Sequence, residues 1–277
     1  SGAEQVLFQA EPQALISSAL LSPDGKQLLL AYAPPPTAQN QLVYTALYLL
    51  PADGTGKPRP LLAATTAKDA FFAPSWSPDG KLIYTSHFHR GNDTTPDRFT
   101  IDQITLDGQL KQLIPDAEWP ALSPDGKEIA YVSAAPDRPN VLYLAGGDGS
   151  NPHPALPVTR FPAVDDHFYA PDGKSVIFSA VNPAQPAAQP TFLERLLGVE
   201  VVSAHNVPSD WYAVGLESGK IDRLTNLNDT GLYAALSPDQ KRAAFIARSG
   251  IYVMNLDGTQ LTQLNDQAVT GTVSWGK

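Results

Sequence analysis

The sequence predicts an all-β fold, a β-propeller of radially arranged blades, on three observations. A five-residue turn motif recurs along nearly the whole chain, an apolar run follows each full copy, and a second turn follows each run. Composition agrees. The 277 residues include 26 prolines and 20 glycines, and only 17% are charged, which suits many short strands joined by turns better than long helices. Closed all-β folds commonly use such a length as one domain, so a single domain over 1–277 is expected.

The motif reads Ser22-Pro23-Asp24-Gly25-Lys26, Ser77-Pro78-Asp79-Gly80-Lys81, Ser123-Pro124-Asp125-Gly126-Lys127, Ala170-Pro171-Asp172-Gly173-Lys174 and Ser237-Pro238-Asp239-Gln240-Lys241. A truncated sixth copy stands at Ser274-Trp275-Gly276-Lys277, where Trp275 matches Trp76. Successive full copies start 55, 46, 47 and 67 residues apart. A period near 45 fits one four-stranded blade, and the two longer intervals call for insertions. Proline presets φ at the first corner, aspartate tolerates the second, and glycine supplies a positive φ. Gln240 replaces that glycine, so the fifth turn should be strained or differently shaped.

The runs at 28–33, 82–86, 128–133, 175–180 and 243–247 are nearly continuous in apolar residues, as expected of strands covered on both faces. The second turns are Asp53-Gly54, Asp107-Gly108, Asp148-Gly149, Ser218-Gly219 and Asp257-Gly258. Each unit therefore reads as an inner strand, the Pro-Asp turn, two further strands, the second turn and a short outer strand. Six inner strands are expected, at 15–21, 70–76, 117–122, 164–169, 230–236 and 270–275, but only five carry a full complement. The expectation is six blades with a reduced terminal blade, closed by the N-terminal segment 4–9, since joining the termini removes exposed edges. Five blades is the alternative count.

A Trp-Ser-Pro-Asp-Gly-Lys motif followed by an Asp-Gly turn resembles the repeat of the TolB-type, WD-like periplasmic propellers, over roughly residues 15–277. The resemblance implies a non-enzymatic binding or scaffold propeller of the cell envelope, with a protein, peptide or saccharide partner. Some propellers of this class are metal-assisted polysaccharide lyases, which makes a lyase or hydrolase-like enzyme the alternative. A third reading is a sensor or extracellular domain of a larger membrane-anchored protein. Fold is the stronger inference, because one propeller fold hosts many activities.

Charge narrows the classes. Lys and Arg total 19 against 28 Asp and Glu, for a net charge of -9, without a basic cluster. That argues against nucleic acid, which needs a basic footprint. No apolar run approaches the ~20 residues of a transmembrane helix. The absence of cysteine excludes disulfides and thiolate metal sites. Residues 1–5 lack signal-peptide features, so either no signal exists or it has been removed. The resemblance implies an extracytoplasmic chain whose signal or upstream anchor has been removed, and a monomer is expected. The chain has no Gly-x-Ser-x-Gly elbow, no phosphate-binding glycine loop and no His-Glu-x-x-His motif.

The connections after the second strands are long and varied, whereas the turns of the opposite face are short and uniform. Binding residues favour loops on a rigid scaffold, so the loop-rich face and its channel mouth form the expected site. Aligned on the turn motif, Ser18, Ala73, Trp119, Asp166, Tyr233 and Thr272 fall at one level, and Ala19, Pro74, Pro120, His167, Ala234 and Val273 one residue deeper. The binding candidates are Trp119, Asp165, Asp166, His167 and Tyr233, with His205 from an insertion at 181–210. Adjacent Asp165 and Asp166 should perturb each other's ionisation. The insertion carries a short helix expected from the capping box Thr191 to Glu194, with Gly198 as its stop. His87 and His89 alternate on one strand and so share a side. With His205 as a third ligand they are the metal candidates, but no recognised ligand spacing is present, and neither metal nor other cofactor is expected.

Overall fold

The computed structural model of the chain describes residues 6–36, 44–62, 69–135, 141–157, 160–183, 207–268 and 272–275. They form five four-stranded antiparallel sheets, each with its strands in chain order from the inside outward. Blade one is β1 (Leu15–Leu21), β2 (Gln27–Ala33), β3 (Ala46–Pro51) and β4 (Arg59–Pro60). Blade two is β5 (Asp69–Trp76), β6 (Leu82–His89), β7 (Arg98–Thr105) and β8 (Leu110–Pro115). Blade three is β9 (Ala117–Leu122), β10 (Glu128–Ser133), β11 (Leu142–Gly146) and β12 (His153–Pro154). Blade four is β13 (Val164–Tyr169), β14 (Ser175–Val181), β15 (Ser209–Gly215) and β16 (Ile221–Arg223). Blade five is β17 (Tyr233–Leu236), β18 (Arg242–Ala247), β19 (Gly250–Asn255) and β20 (Thr262–Asn265).

The Pro-Asp motif forms the hairpin between the first two strands of every blade, in four of the five through one repeated hydrogen-bond set; in blade four Ala170 lacks the hydroxyl, and Asp172 Oδ1 still accepts the Lys174 amide at 2.9 Å. The Ser22 hydroxyl donates to Asp24 Oδ1 at 2.6 Å and accepts the Gln27 amide at 3.0 Å, while Asp24 Oδ1 accepts the Lys26 amide at 3.1 Å. Ser77, Ser123 and Ser237 repeat the pattern. The serine hydroxyl first, then the lysine amide, hold the carboxyls of Asp79 and Asp125 down to about 2. Glycine takes the left-handed corner in four copies. Gln240 adopts the same conformation at φ 58° and keeps the closing bond from its amide to the Ser237 carbonyl at 2.8 Å. The fifth turn is therefore strained but not reshaped. Gln240→Gly should stabilise the protein by about 1 kcal/mol, because a left-handed conformation costs a side-chain-bearing residue that much. Urea unfolding would measure it, and an unchanged midpoint would mean that the turn carries no strain.

Side chains from facing sheets bury the core in the seams between blades. Leu29, Leu47, Phe71 and Ile104 join blades one and two. Tyr84, Ile101, Ile129 and Tyr131 join two and three. Val132, Leu144, Phe178 and Tyr212 join three and four. Ile177, Trp211, Phe245 and Met254 join four and five. This two-sided burial explains the continuous apolar runs of the second strands.

The six-blade expectation is corrected to five. Counting turn motifs counts inner strands, and the last of these brings no sheet with it among the described residues. Residues 272–275 instead lie between the last and first blades. Ser274 Oγ accepts the Leu21 amide at 3.4 Å, and the Arg242 guanidinium sits 5.4 Å from the Trp275 ring centre. The described part of the N-terminal segment does not close the ring as a strand either. Phe8, Ala10 and Ala14 cover the outer face of blade one, with Phe8 edge-on to Tyr32 at 5.7 Å. The helix expected within the 181–210 insertion, and His205, lie outside the described residues. No helix among those residues is long and apolar enough to cross a membrane.

Candidate functional site at the channel mouth

Four of the five inner strands share a defect at nearly the same height, while β17 pairs with β18 without a register shift. The ladder to the second strand shifts register between Ile16 and Ser18, between Phe72 and Ser75, across Trp119 and Pro120, and between Val164 and His167. Such bulges release a residue from pairing and re-aim its side chain. Two of the released residues, Ala73 and Trp119, adopt left-handed backbones at φ 45° and 61°, a conformation that non-glycine residues keep only when their surroundings enforce it. For Trp119 one such restraint comes from the neighbouring blade, where Ser86 Oγ accepts its amide at 2.7 Å.

Side chains at this height surround a cavity of about 190 Å³ on the propeller axis. All six residues expected at the upper level line it: Ser18, Ala73, Trp119, Asp166, Tyr233 and Thr272. At the deeper level Pro74, Pro120, His167, Ala234 and Val273 line it, while Ala19 packs on the outer core of blade one. Thus 272–273 take the sixth place around the axis, without a sheet behind them among the described residues.

Trp119 and Tyr233 stack at 5.8 Å between centres with 28° between planes, and Phe72 meets Trp119 edge-on at 6.1 Å. Burial raises the Tyr233 hydroxyl well above its usual range, and Asp165 and Asp166 act in the same direction. The phenol therefore stays neutral.

Asp166 Oδ2 accepts the Ala234 amide at 2.7 Å, tying blade four to blade five. Burial nevertheless dominates and pushes this carboxyl up to about 8, with Asp165 adding to the rise and the Ala234 amide opposing it. His167 is buried, donates from Nδ1 to the Asp165 carbonyl at 3.1 Å, and is held neutral by the same burial. At pH 7 the three polar groups of the wall are an uncharged acid, an uncharged imidazole and an uncharged phenol. Asp165 itself is buried beside the cavity and is not part of its lining.

His87 and His89 stand apart from this cavity, on the loop-face end of blade two. They share a side, as their spacing predicts, and Asp69 on the paired strand joins them. Asp69 was not visible as a partner in the sequence.

No protein-family model and no curated protein matches the sequence. Solved structures do match its fold. The TolB structure from Agrobacterium tumefaciens superposes with a TM-score of 0.69 at 19% identity, over 98% of this chain and 89% of that one. TolB from Acinetobacter baumannii gives 0.63 at 18% identity, over 95% of this chain and 57% of that one. An oligogalacturonate lyase in complex with manganese gives 0.57 at 13% identity, over 90% and 64%. The shared feature at these identities is the β-propeller fold.

Proposed function

We propose that this chain is a non-enzymatic binding propeller, acting outside the cytoplasm, that anchors one side chain of an extended protein or peptide segment in its channel mouth. The observation that carries the reading is the Trp119–Tyr233 stack in the lining of the channel-mouth cavity, with Trp119 held there by bulged backbone. Aromatic residues on rigid supports supply large contact area at low entropic cost and dominate binding energy where they are found. The size of the cavity decides the type of ligand. At about 190 Å³ it falls below the ~300 Å³ lower end of ordinary small-molecule sites, so it suits one residue of a larger partner rather than a free cofactor. The uncharged wall favours an apolar or neutral anchor, since a charged one would lose its hydration without a counter-charge. The likeness in fold to the two TolB structures, and the resemblance of the repeat to periplasmic propellers, support the compartment and the absence of catalysis.

Peptides selected on the immobilised protein from a random library would test this. Trp119→Ala is expected to weaken the selected peptides by at least about tenfold, the usual cost of truncating an aromatic anchor. Lys174→Ala on the turn face should leave their Kd unchanged. Peptides that ignore Trp119→Ala and respond to Lys174→Ala would place binding on the opposite face.

A further inference from the structure

The end of the β5–β6 hairpin gathers three metal-ligating side chains. Residues two apart on a strand share a face, which puts Asp69 with Phe71 and His87 with His89. Pairing then sets Asp69 opposite His89 and Phe71 opposite His87. The bulge between Phe72 and Ser75 creates this register. Counting outward from the Trp76–Ile83 pair, an unbroken ladder would set Asp69 against Arg90. Slipping by one residue exchanges the faces. The Phe71 ring stacks on His87 at 4.1 Å, and the two imidazole centres lie 3.8 Å apart.

The third strand fixes the protons. His87 Nδ1 lies 2.6 Å from Asp102 Oδ2, and Asp102 is buried. Thr100 donates its hydroxyl proton to Asp102 Oδ1 at 2.8 Å, so its oxygen is left to accept from His89 Nε2 at 3.2 Å. This chain of donors puts one proton on His87 Nδ1 and one on His89 Nε2. The bare nitrogens are then His87 Nε2 and His89 Nδ1, and both face Asp69 Oδ1, at 3.9 and 3.6 Å. His87 Nε2 is buried and makes no hydrogen bond. A buried acceptor without a donor, aimed with a second lone pair at a carboxylate, is costly unless a positive centre lies between them.

We propose that Asp69, His87 and His89 bind a divalent transition-metal ion of the Zn²⁺ type at the loop-face rim of blade two. One ligand atom from each residue lies within 4.8 Å of the others. Ligands about 2.0–2.1 Å from a tetrahedral ion stand about 3.4 Å apart, so the two histidine distances to Asp69, 3.9 and 3.6 Å, need to close by only about half an ångström or less, while the two histidine nitrogens start within 4.8 Å of each other. A proton on His87 Nε2 fits less well, since 3.9 Å is too long for a hydrogen bond to Asp69. Two imidazoles select a first-row ion over Mg²⁺ or Ca²⁺, which prefer all-oxygen sites. Asp102 on His87 and Thr100 on His89 are the orienting partners that metal-bound histidines usually have. About a quarter of the His89 and Asp69 side chains is exposed, at 27% and 25%. The ion can thus enter from solvent and keep at least one position for water. The site lies four residues up β5 from the channel ring, about 13 Å along the strand, and its existence does not depend on how the mouth is used.

The test is titration of chelator-treated full chain with Zn²⁺, followed by calorimetry, and with Co²⁺, followed by its visible d–d absorption. One equivalent is expected to bind, with Co²⁺ bands of low coordination number and no uptake of Mg²⁺ at the same concentration. Asp69→Asn and His89→Ala, both on a partly exposed rim, should fold and lose about 100-fold or more in affinity, and Asp102→Asn about 10–100-fold. Nitrogen NMR of the His87 ring gives an independent readout, in which Zn²⁺ should move the Nε2 resonance. No stoichiometric binding, binding undiminished in both Asp69→Asn and His89→Ala, or a His87 imidazolium spectrum that Zn²⁺ leaves unchanged would each overturn the assignment.

Discussion

Asp210→Ala is expected to destabilise the protein by about 3–5 kcal/mol, because four donors lose one shared acceptor, at about 1–3 kcal/mol for each group left unsatisfied. Asp210 is fully buried at the start of β15. Its Oδ1 accepts the Thr225 hydroxyl at 3.0 Å and the amides of Leu227 and Asn228 at 2.6 and 3.3 Å. Its Oδ2 accepts from the Arg223 guanidinium at 2.6 Å. One carboxylate thereby folds the connection from blade four to blade five onto the second-last strand of blade four, next to the Trp211–Phe245 contact of that seam. Alanine would leave two backbone amides, a hydroxyl and a guanidinium without their acceptor. Asp210→Asn keeps an acceptor but loses the charge, and should cost about 1–3 kcal/mol. Urea unfolding followed by tryptophan fluorescence measures both. A midpoint unmoved by Asp210→Ala would show that water replaces the carboxylate freely and that the connection is not clamped.

The second large effect concerns pH. The Asp166 carboxyl sits near 8 in the folded chain, raised by burial from an ordinary 3.8. Between those two values the folded protein holds a proton that the unfolded chain has released. Stability therefore falls as pH rises through that window, by at most about 1.4 kcal/mol per pH unit, and levels off above it. Asparagine imitates the protonated acid and can still accept the Ala234 amide. Asp166→Asn should accordingly exceed the parent by about 1–3 kcal/mol at pH 8, a figure reduced from the full shift because the channel admits water. Near pH 4 the two proteins should be nearly equal. Thermal melts from pH 4 to 9 measure the difference. Parallel curves would mean that Asp166 ionises normally and that the mouth is charged at pH 7.

Local turn chemistry made the propeller legible. A Pro-Asp corner with a following left-handed residue specifies a hairpin wherever it stands, so five copies announce five hairpins. The height of the channel ring was legible for the same reason. Counting back four residues from each turn reaches Ser18, Ala73, Trp119, Asp166 and Tyr233, all of which line the cavity, although four of these strands are bulged near that point and the fifth is regular. Blade number was less legible. A turn motif reports an inner strand and says nothing about the strands behind it, so 272–275 counted as a blade. The chemistry of Asp69 was hidden by a different cause. The bulge at 72–75 shifts its cross-strand partner from Arg90 to His89, and bulges leave no reliable mark in sequence. The tautomers of His87 and His89 depend on Thr100 and Asp102, which alternation on a neighbouring strand cannot assign.

In the proposed function the channel mouth, and not the turn face, receives the partner. Hydrogen exchange of the chain with and without a saturating selected peptide tests it most directly. Protection is expected in the inner strands, at 117–122, 164–169 and 233–236, with the five Pro-Asp turns unaffected. Protection confined to those turns, with the inner strands exchanging at their free rates, would contradict it.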